Sequence, residues 1–331
     1  AYKLANHIIN EKIEFERNPL YWNDKETVIN SATFLAIENP STDVARYRAG
    51  DLDMTSYALP PEQFAKLQKE LPGEVFTTRT LATYSYELNN KKAPFDNVNI
   101  RKALNLSLDR NVITDKVLGQ GQTPTYVFTP TYIEEGQLIQ QPAYSKEPMA
   151  QRNEEAIKLL EEAGYSKANP LKFSILYNTN ENHKKVAIAA ASMWKANTKG
   201  LIDVKLENQE WKTYIDSRRA GRYDAARAGW NADYNQATTF GNYFLSNSSN
   251  NTAKYANPEY DKAIAESYVA TDAEGRAKAY AKAEEILAKD FGIVPIFNYV
   301  NPRLVKPYVK GYSGKDPQDH IYLRNLYIIK H

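Results

Sequence analysis

The chain of 331 residues contains no cysteine, which removes disulfides, thiolate nucleophiles, Cys-ligated zinc and iron–sulfur clusters together. It also lacks any run approaching the roughly 18 apolar residues that a membrane span needs. Charge of one sign is missing as well: 42 Lys and Arg face 40 Asp and Glu, a formal charge of +2. Phosphate binding calls for a net-basic face, so nucleic acid is not the expected partner. Histidine is scarce, with only His7, His183, His320 and His331, and none of them forms an HxxxH or HExxH metal spacing. There is no GxSxG elbow and no Walker loop. Gly119-Gln120-Gly121 lacks the third glycine and reads as a plain turn. The carboxylate pairs Glu161-Glu162 and Glu284-Glu285 read as solvated helix faces. The sequons at Asn247 and Asn250 are ordinary in so Asn- and Ser-rich a loop. No enzyme, metal site or cofactor is expected.

What is present is ordinary in bulk, with 42% apolar and 25% charged residues. Tyrosine stands out at 24 residues; its rigid ring and polar tip suit wet clefts, though it also simply decorates strands. The length suggests two domains. The chain opens on Ala1-Tyr2-Lys3 with neither Met nor signal peptide, so a mature form or a fragment is expected. The first eighty residues read as short strands, Lys3–Ile9 and Lys12–Arg17 among them, and as helices over Thr42–Ala49 and from an opening Pro60-Pro61-Glu62 to about Glu70. Gly50–Met54 reads as a strand between those helices. Asn99–Leu106, Arg110–Leu118 and Gln151–Ala163 read as helices. Leu171–Tyr177, His183–Ala196, Val204–Glu207, Trp211–Arg219 and Asp224–Trp230 then form a β-α-β-α-β run, which predicts an α/β layer with a mainly parallel sheet. Helices over Glu259–Val269 and Ala273–Lys289 and a buried strand Ile293–Tyr299 follow.

The segment Arg227-Ala228-Gly229-Trp230-Asn231-Ala232-Asp233-Tyr234-Asn235 is the most informative. It closes the third strand of that run, at the edge where open sheets bind ligands. Arg227 and Asp233 supply a fixed cation and a fixed anion, as a zwitterionic ligand would need. Gly229 permits close backbone approach and Trp230 offers a flat wall. The same spacing equally fits an internal Arg227–Asp233 ion pair beside a core tryptophan.

Together with "ERNPLYWND" (15–24), "RYRAGDLDMT" (46–55), "RKALNLSLDRNVI" (101–113), "RNEEAIKLLEEAGY" (152–165), "LENQEWK" (206–212), "SSNNTAKY" (248–255) and residues 301–331, this segment closely resembles the periplasmic oligopeptide-binding proteins of ABC transporters and their relatives, the murein-tripeptide-binding proteins. The resemblance implies an α/β, two-lobe periplasmic solute-binding fold (type II, cluster C), here incomplete in its first lobe. Residues 1–82 and 300–331 would belong to that first lobe and residues 83–299 to a complete ligand-binding lobe, with a preceding region absent. It further implies a monomer that binds peptides of about two to five residues by β-augmentation and delivers them to an inner-membrane ABC permease. Murein tripeptide is the alternative ligand, and chaperone-like binding of unfolded peptides a further one. By position, Asp233 would neutralise the peptide ammonium, and Gly229, Trp230 and Asn231 would pair with its backbone. Arg227 and His183 would meet the C-terminal carboxylate, although His183 also reads as an exposed polar residue. Trp211, Ile215, Arg218 and Arg219 would line side-chain pockets, either arginine serving the extra carboxylate of a murein tripeptide. Tyr299 would close near a hinge. Where family members carry a lysine for short peptides, this chain has Leu118 or Gly119.

Overall fold

The structure, a computed structural model, describes residues 1–56 and 58–330; Tyr57 and His331 lie outside the described residues. In chain order come β1 (Tyr2–Ile8), β2 (Lys12–Arg17), β3 (Ser31–Leu35), α1 (Pro40–Ala49), α2 (Pro61–Glu70) and β4 (Val75–Leu88). The middle holds α3 (Val98–Leu106), β5 (Thr123–Pro124), α4 (Met149–Glu162), β6 (Leu171–Asn178), α5 (Glu181–Asn197), β7 (Ile202–Gln209), α6 (Trp211–Arg219) and β8 (Ala225–Asn231). Then follow α7 (Thr238–Gly241), α8 (Pro258–Val269), α9 (Ala273–Lys289), β9 (Ile293–Leu304), β10 (Val309–Lys310) and β11 (Tyr327–Ile328). The chain divides into two units, residues 1–80 with 300–331, and residues 81–299.

In the first unit, β1, β2 and β3 form an antiparallel sheet, with Phe15 opposite both Leu4 and Ala32. Asn39 starts α1 by accepting from the N–H groups of Ser41 and Thr42, which the helix cannot satisfy itself. Gly50 ends it in the left-handed region, φ 90°. Val44, Tyr47, Leu59, Phe64, Leu67 and Leu304 make the core here. The strand expected over Gly50–Met54 is reduced to one antiparallel bridge, Met54 to Val305.

In the second unit the six-stranded sheet among the described residues has the order β5-β9-β4-β8-β6-β7. The expectation of a mainly parallel sheet needs correction. Strands β7, β6 and β8 are parallel neighbours, but β4 runs antiparallel to β8 and β5 antiparallel to β9. The cause is β4, inserted from outside the β-α-β-α-β run. One face carries Tyr84, Tyr86, Phe173, Ile175 and Trp194; a second cluster gathers Phe240, Tyr243, Phe244, Ile264, Tyr280 and Leu287. Two local readings also change. Residues Val112–Leu118 form π-helical turns, closed by Gly119 at φ 62°. Glu284 is buried instead of solvated, its carboxylate accepting from the N–H groups of Phe128 and Thr129 and from the Thr129 hydroxyl. Burial raises its pKa.

Candidate functional site: an open strand edge with a fixed cation

The site is built on the last half of β8. Ala232 N–H donates to Leu81 O at 2.8 Å, continuing the register in which Trp230 faces Thr83 and Gly229 faces Tyr84. In an antiparallel ladder the backbone groups alternate in direction. The backbone of Ala228 and Trp230 is therefore turned to β4, and that of Arg227, Gly229 and Asn231 is turned away from it. On that far side β6 pairs with β8 only at Ile175–Ala225 and Leu176–Ala226. Past that point the two strands part. The Tyr214 hydroxyl fills the start of the gap by donating to the Arg227 carbonyl. Gly229 and Asn231 are left presenting N–H and C=O on an edge with no strand against it among the described residues. Of the three residues expected to pair with a ligand backbone, Trp230 therefore does not; its own backbone belongs to the β4 ladder.

On the sheet face shared with Tyr84 and Tyr86, the Arg227 guanidinium donates to the Tyr299 hydroxyl and lies 5.1 Å over the Tyr84 ring. Its Nε is buried without a hydrogen-bond partner. Among the described residues it forms no ion pair, so the internal Arg227–Asp233 pair that the spacing allowed is absent. An arginine stays charged at any accessible pH. Gly229 makes room for it, since a Cβ there would sit 3.0 Å from Arg227 Nη2 and 3.1 Å from the Tyr299 hydroxyl. His183 stands at the start of α5, its N–H accepted by the Asn180 cap at 3.1 Å and its ring 5.6 Å from that of Tyr84. It is half-buried, not the exposed polar residue that one reading allowed. Burial, and then the Arg227 charge, hold its pKa well below the usual imidazole range. His183 is thus neutral at pH 7, and an anion placed beside the ring would favour its cation.

Asp233 lies on the exposed loop beyond β8. Its N–H donates to the Thr239 hydroxyl at 3.2 Å, and that hydroxyl lies 3.4 Å from Asp233 Oδ2. The Trp230 indole N–H donates to the same Thr239 oxygen at 3.2 Å, while its ring packs against Tyr243.

The remaining expected residues separate. Arg218 lines no open pocket: it is buried, with Nη2 2.9 Å from Glu87, 3.2 Å from the Tyr243 hydroxyl and 3.1 Å from Thr252. Its charge is already spent on Glu87, which takes it out of service for a ligand carboxylate. Arg219, next in sequence, is exposed. Trp211 is 54% exposed, its ring 5.8 Å from that of Tyr214, and Ile215 packs beside Leu176 and Tyr214. Sequence reasoning missed Tyr84, Tyr214 and Thr239. The alternation of tyrosines through residues 81–88 was a signal for the first; nothing local marked Thr239.

The family described as bacterial extracellular solute-binding proteins, family 5 (middle), matches residues 1–252. The chain is 97% identical over 331 residues to the periplasmic oligopeptide-binding protein OppA of Haemophilus influenzae, covering all of this chain and 61% of that protein. To the periplasmic murein peptide-binding protein MppA of Escherichia coli it is 43% identical, again over all of this chain and 61% of the other. The crystal structure of Haemophilus influenzae OppA in complex with RPPGFSPFR matches at TM-score 0.95 and 96% identity, over all of this chain and 64% of that one. The chain belongs to the family 5 bacterial extracellular solute-binding proteins. It spans 61% of the length of these two curated relatives.

Proposed function

We propose that these residues form the ligand-binding part of a periplasmic, monomeric protein that captures oligopeptides and delivers them to an inner-membrane ABC permease without doing chemistry on them. The observation that carries this reading is the edge of β8. Gly229 and Asn231 offer backbone donors and acceptors to one more strand, as β-augmentation requires. Arg227 supplies an unneutralised cation on the sheet face beside that edge, and exposed Asp233 an anion beyond its end. A free peptide in extended form brings a carboxylate, an ammonium and a hydrogen-bonding backbone, and so fits all three. Arg227, with His183 once protonated, takes the carboxylate; Asp233 takes the ammonium. Trp211, Ile215 and Arg219 contact ligand side chains, and Tyr299 supports Arg227. We read residues 83–299 as the ligand-binding lobe and residues 1–82 with 300–331 as part of another. The murein-peptide alternative has less support, because Arg218 is committed to Glu87 and the identity to the oligopeptide-binding relative is far higher.

Calorimetry with zwitterionic tri- to pentapeptides tests this, on the chain alone and on the chain extended to the length of its relatives. Binding is expected in both, weaker in the chain alone, and lost when both peptide ends are blocked. Full affinity for end-blocked peptides would favour the chaperone-like alternative; no binding in the extended protein would overturn the reading.

A further inference from the structure

We propose that Thr239 is a positioning residue, one that fixes the Asp233 carboxylate for a ligand ammonium; this rests on the peptide-binding reading above. A hydroxyl has one proton to give and two lone pairs to fill. At Thr239 the lone pairs take the Trp230 indole N–H and the Asp233 N–H, each at 3.2 Å. Among the described residues the proton is directed to Asp233 Oδ2, 3.4 Å away. All three capacities thus have a partner, the carboxylate contact being the longest of them. Thr239 is itself buried, at 4% exposure, while the carboxylate it directs lies on an exposed loop. The oxygen thus links the Asp233 carboxylate to the tryptophan wall.

The rest of the loop is pinned independently. Ala237 N–H donates to the Glu134 carbonyl at 3.0 Å, and Gln236 Nε2 to Glu135 at 3.0 Å. Glu135 is in turn held by Arg276 on α9 at 2.6 Å. The path at Gln236 and Ala237 is therefore set without the Thr239 hydroxyl, and loss of that hydroxyl acts on Asp233, its backbone N–H and its carboxylate, and on the Trp230 indole. A preset carboxylate binds more tightly because less rotamer freedom is lost on binding.

The test is made in the chain extended to the length of its relatives. Thr239→Val keeps the shape and removes the hydroxyl; Thr239→Ser keeps the hydroxyl. Affinity for a tripeptide with a free N-terminus should fall about tenfold in the valine variant and recover in the serine variant. The N-acetylated tripeptide should change by less than about twofold in either. The Trp230 indole N–H resonance should shift in the valine variant with no peptide present, and return in the serine variant. Equal losses for free and acetylated peptides, or no loss at all, would overturn the assignment and leave peptide binding intact. A parent protein that binds neither peptide would overturn the functional reading instead, and the assignment with it. If the valine variant fails to fold, Thr239→Ala, smaller and also without the hydroxyl, takes its place: the same selective loss for the free peptide is expected, and equal losses or none would sink the proposal.

Discussion

Tyr214 donates its hydroxyl to the backbone carbonyl of Arg227 at the point where β8 leaves β6. That bond uses up the first outward-facing acceptor of β8, so the open edge begins at Gly229. Tyr214 is buried and packs with Leu176, Tyr223 and Ala226. Tyr214→Phe should keep the packing and lose the bond. The expected cost is about 1 kcal/mol of folding stability, more if no water reaches the carbonyl. Urea unfolding measures it, and a change of less than a few tenths would mean the bond does not hold the gap.

Arg218 and Glu87 give a sharper contrast. Glu87 is fully buried and accepts from Arg218, from the Tyr243 hydroxyl at 2.6 Å and from Thr252. Arg218→Met leaves that carboxylate without its cation, which should cost about 3–5 kcal/mol. Replacing both, as Glu87→Leu with Arg218→Met, should cost less than the single change. Arg219→Ala, on the exposed neighbour, should stay within about 0.5 kcal/mol. Chemical unfolding of the four proteins settles the order, and a mild effect of Arg218→Met would return that residue to the ligand pockets.

Both contrasts show what the sequence could and could not announce. Helices α6 and α9 lie on the residues expected to be helical, because helix-forming composition and caps are local signals. The Arg227–Asn235 segment was legible for a similar reason: its charges frame a glycine and a tryptophan within nine residues. Strand β4 was not. Thr83, Ser85 and Glu87 alternate with Tyr84, Tyr86 and Leu88, and such an alternation reads as one wet face. Here both faces are buried, the polar one over the Arg218 network. The partner that makes Glu87 tolerable is 131 residues away. Thr239 is a tertiary choice as well, visible only once the loop has folded back on Trp230.

His183 should make both stability and binding depend on pH. Its folded pKa is held below the ordinary value near 6.5, first by burial and then by Arg227. The unfolded chain therefore binds the proton more readily. Stability contributed by the neutral imidazole is present above about pH 6.5 and is lost as pH falls from there toward the folded value. His183→Asn should flatten that part of the profile in denaturant titrations. A peptide carboxylate placed beside the ring reverses the sign by favouring the imidazolium. Calorimetry near pH 6.5 in two buffers of different ionisation enthalpy should register proton uptake for free peptides and none for C-amidated ones. Uptake by both would take the imidazole out of carboxylate recognition.

Gly229→Ala should disturb the cation and spare the fold. The added Cβ would sit 3.0 Å from Arg227 Nη2 and 3.1 Å from the Tyr299 hydroxyl, both tips of movable side chains. The guanidinium gives way, and its hydrogen bond to Tyr299 breaks. Thermal unfolding should move little, while affinity for peptides with a free carboxylate falls about tenfold. An unchanged affinity would show that Arg227 does not need its present seat.

Arg227 and Asp233 should respond differently to peptide length. In an extended ligand held by its ammonium at Asp233, each added residue carries the carboxylate about 3.3 Å further along the strand. The ammonium stays where it is. Asp233→Asn should therefore weaken free peptides of three, four and five residues by a similar factor, on the order of 10–100-fold, and leave their N-acetylated forms nearly unaffected. Arg227→Met keeps the apolar stem and removes the charge. It should penalise most the one length whose carboxylate reaches the guanidinium directly, and less the lengths that reach it through water. Titration of the three lengths against both variants separates the two roles. A uniform penalty from Arg227→Met across all lengths would place its charge outside direct contact with the carboxylate, acting through the field alone.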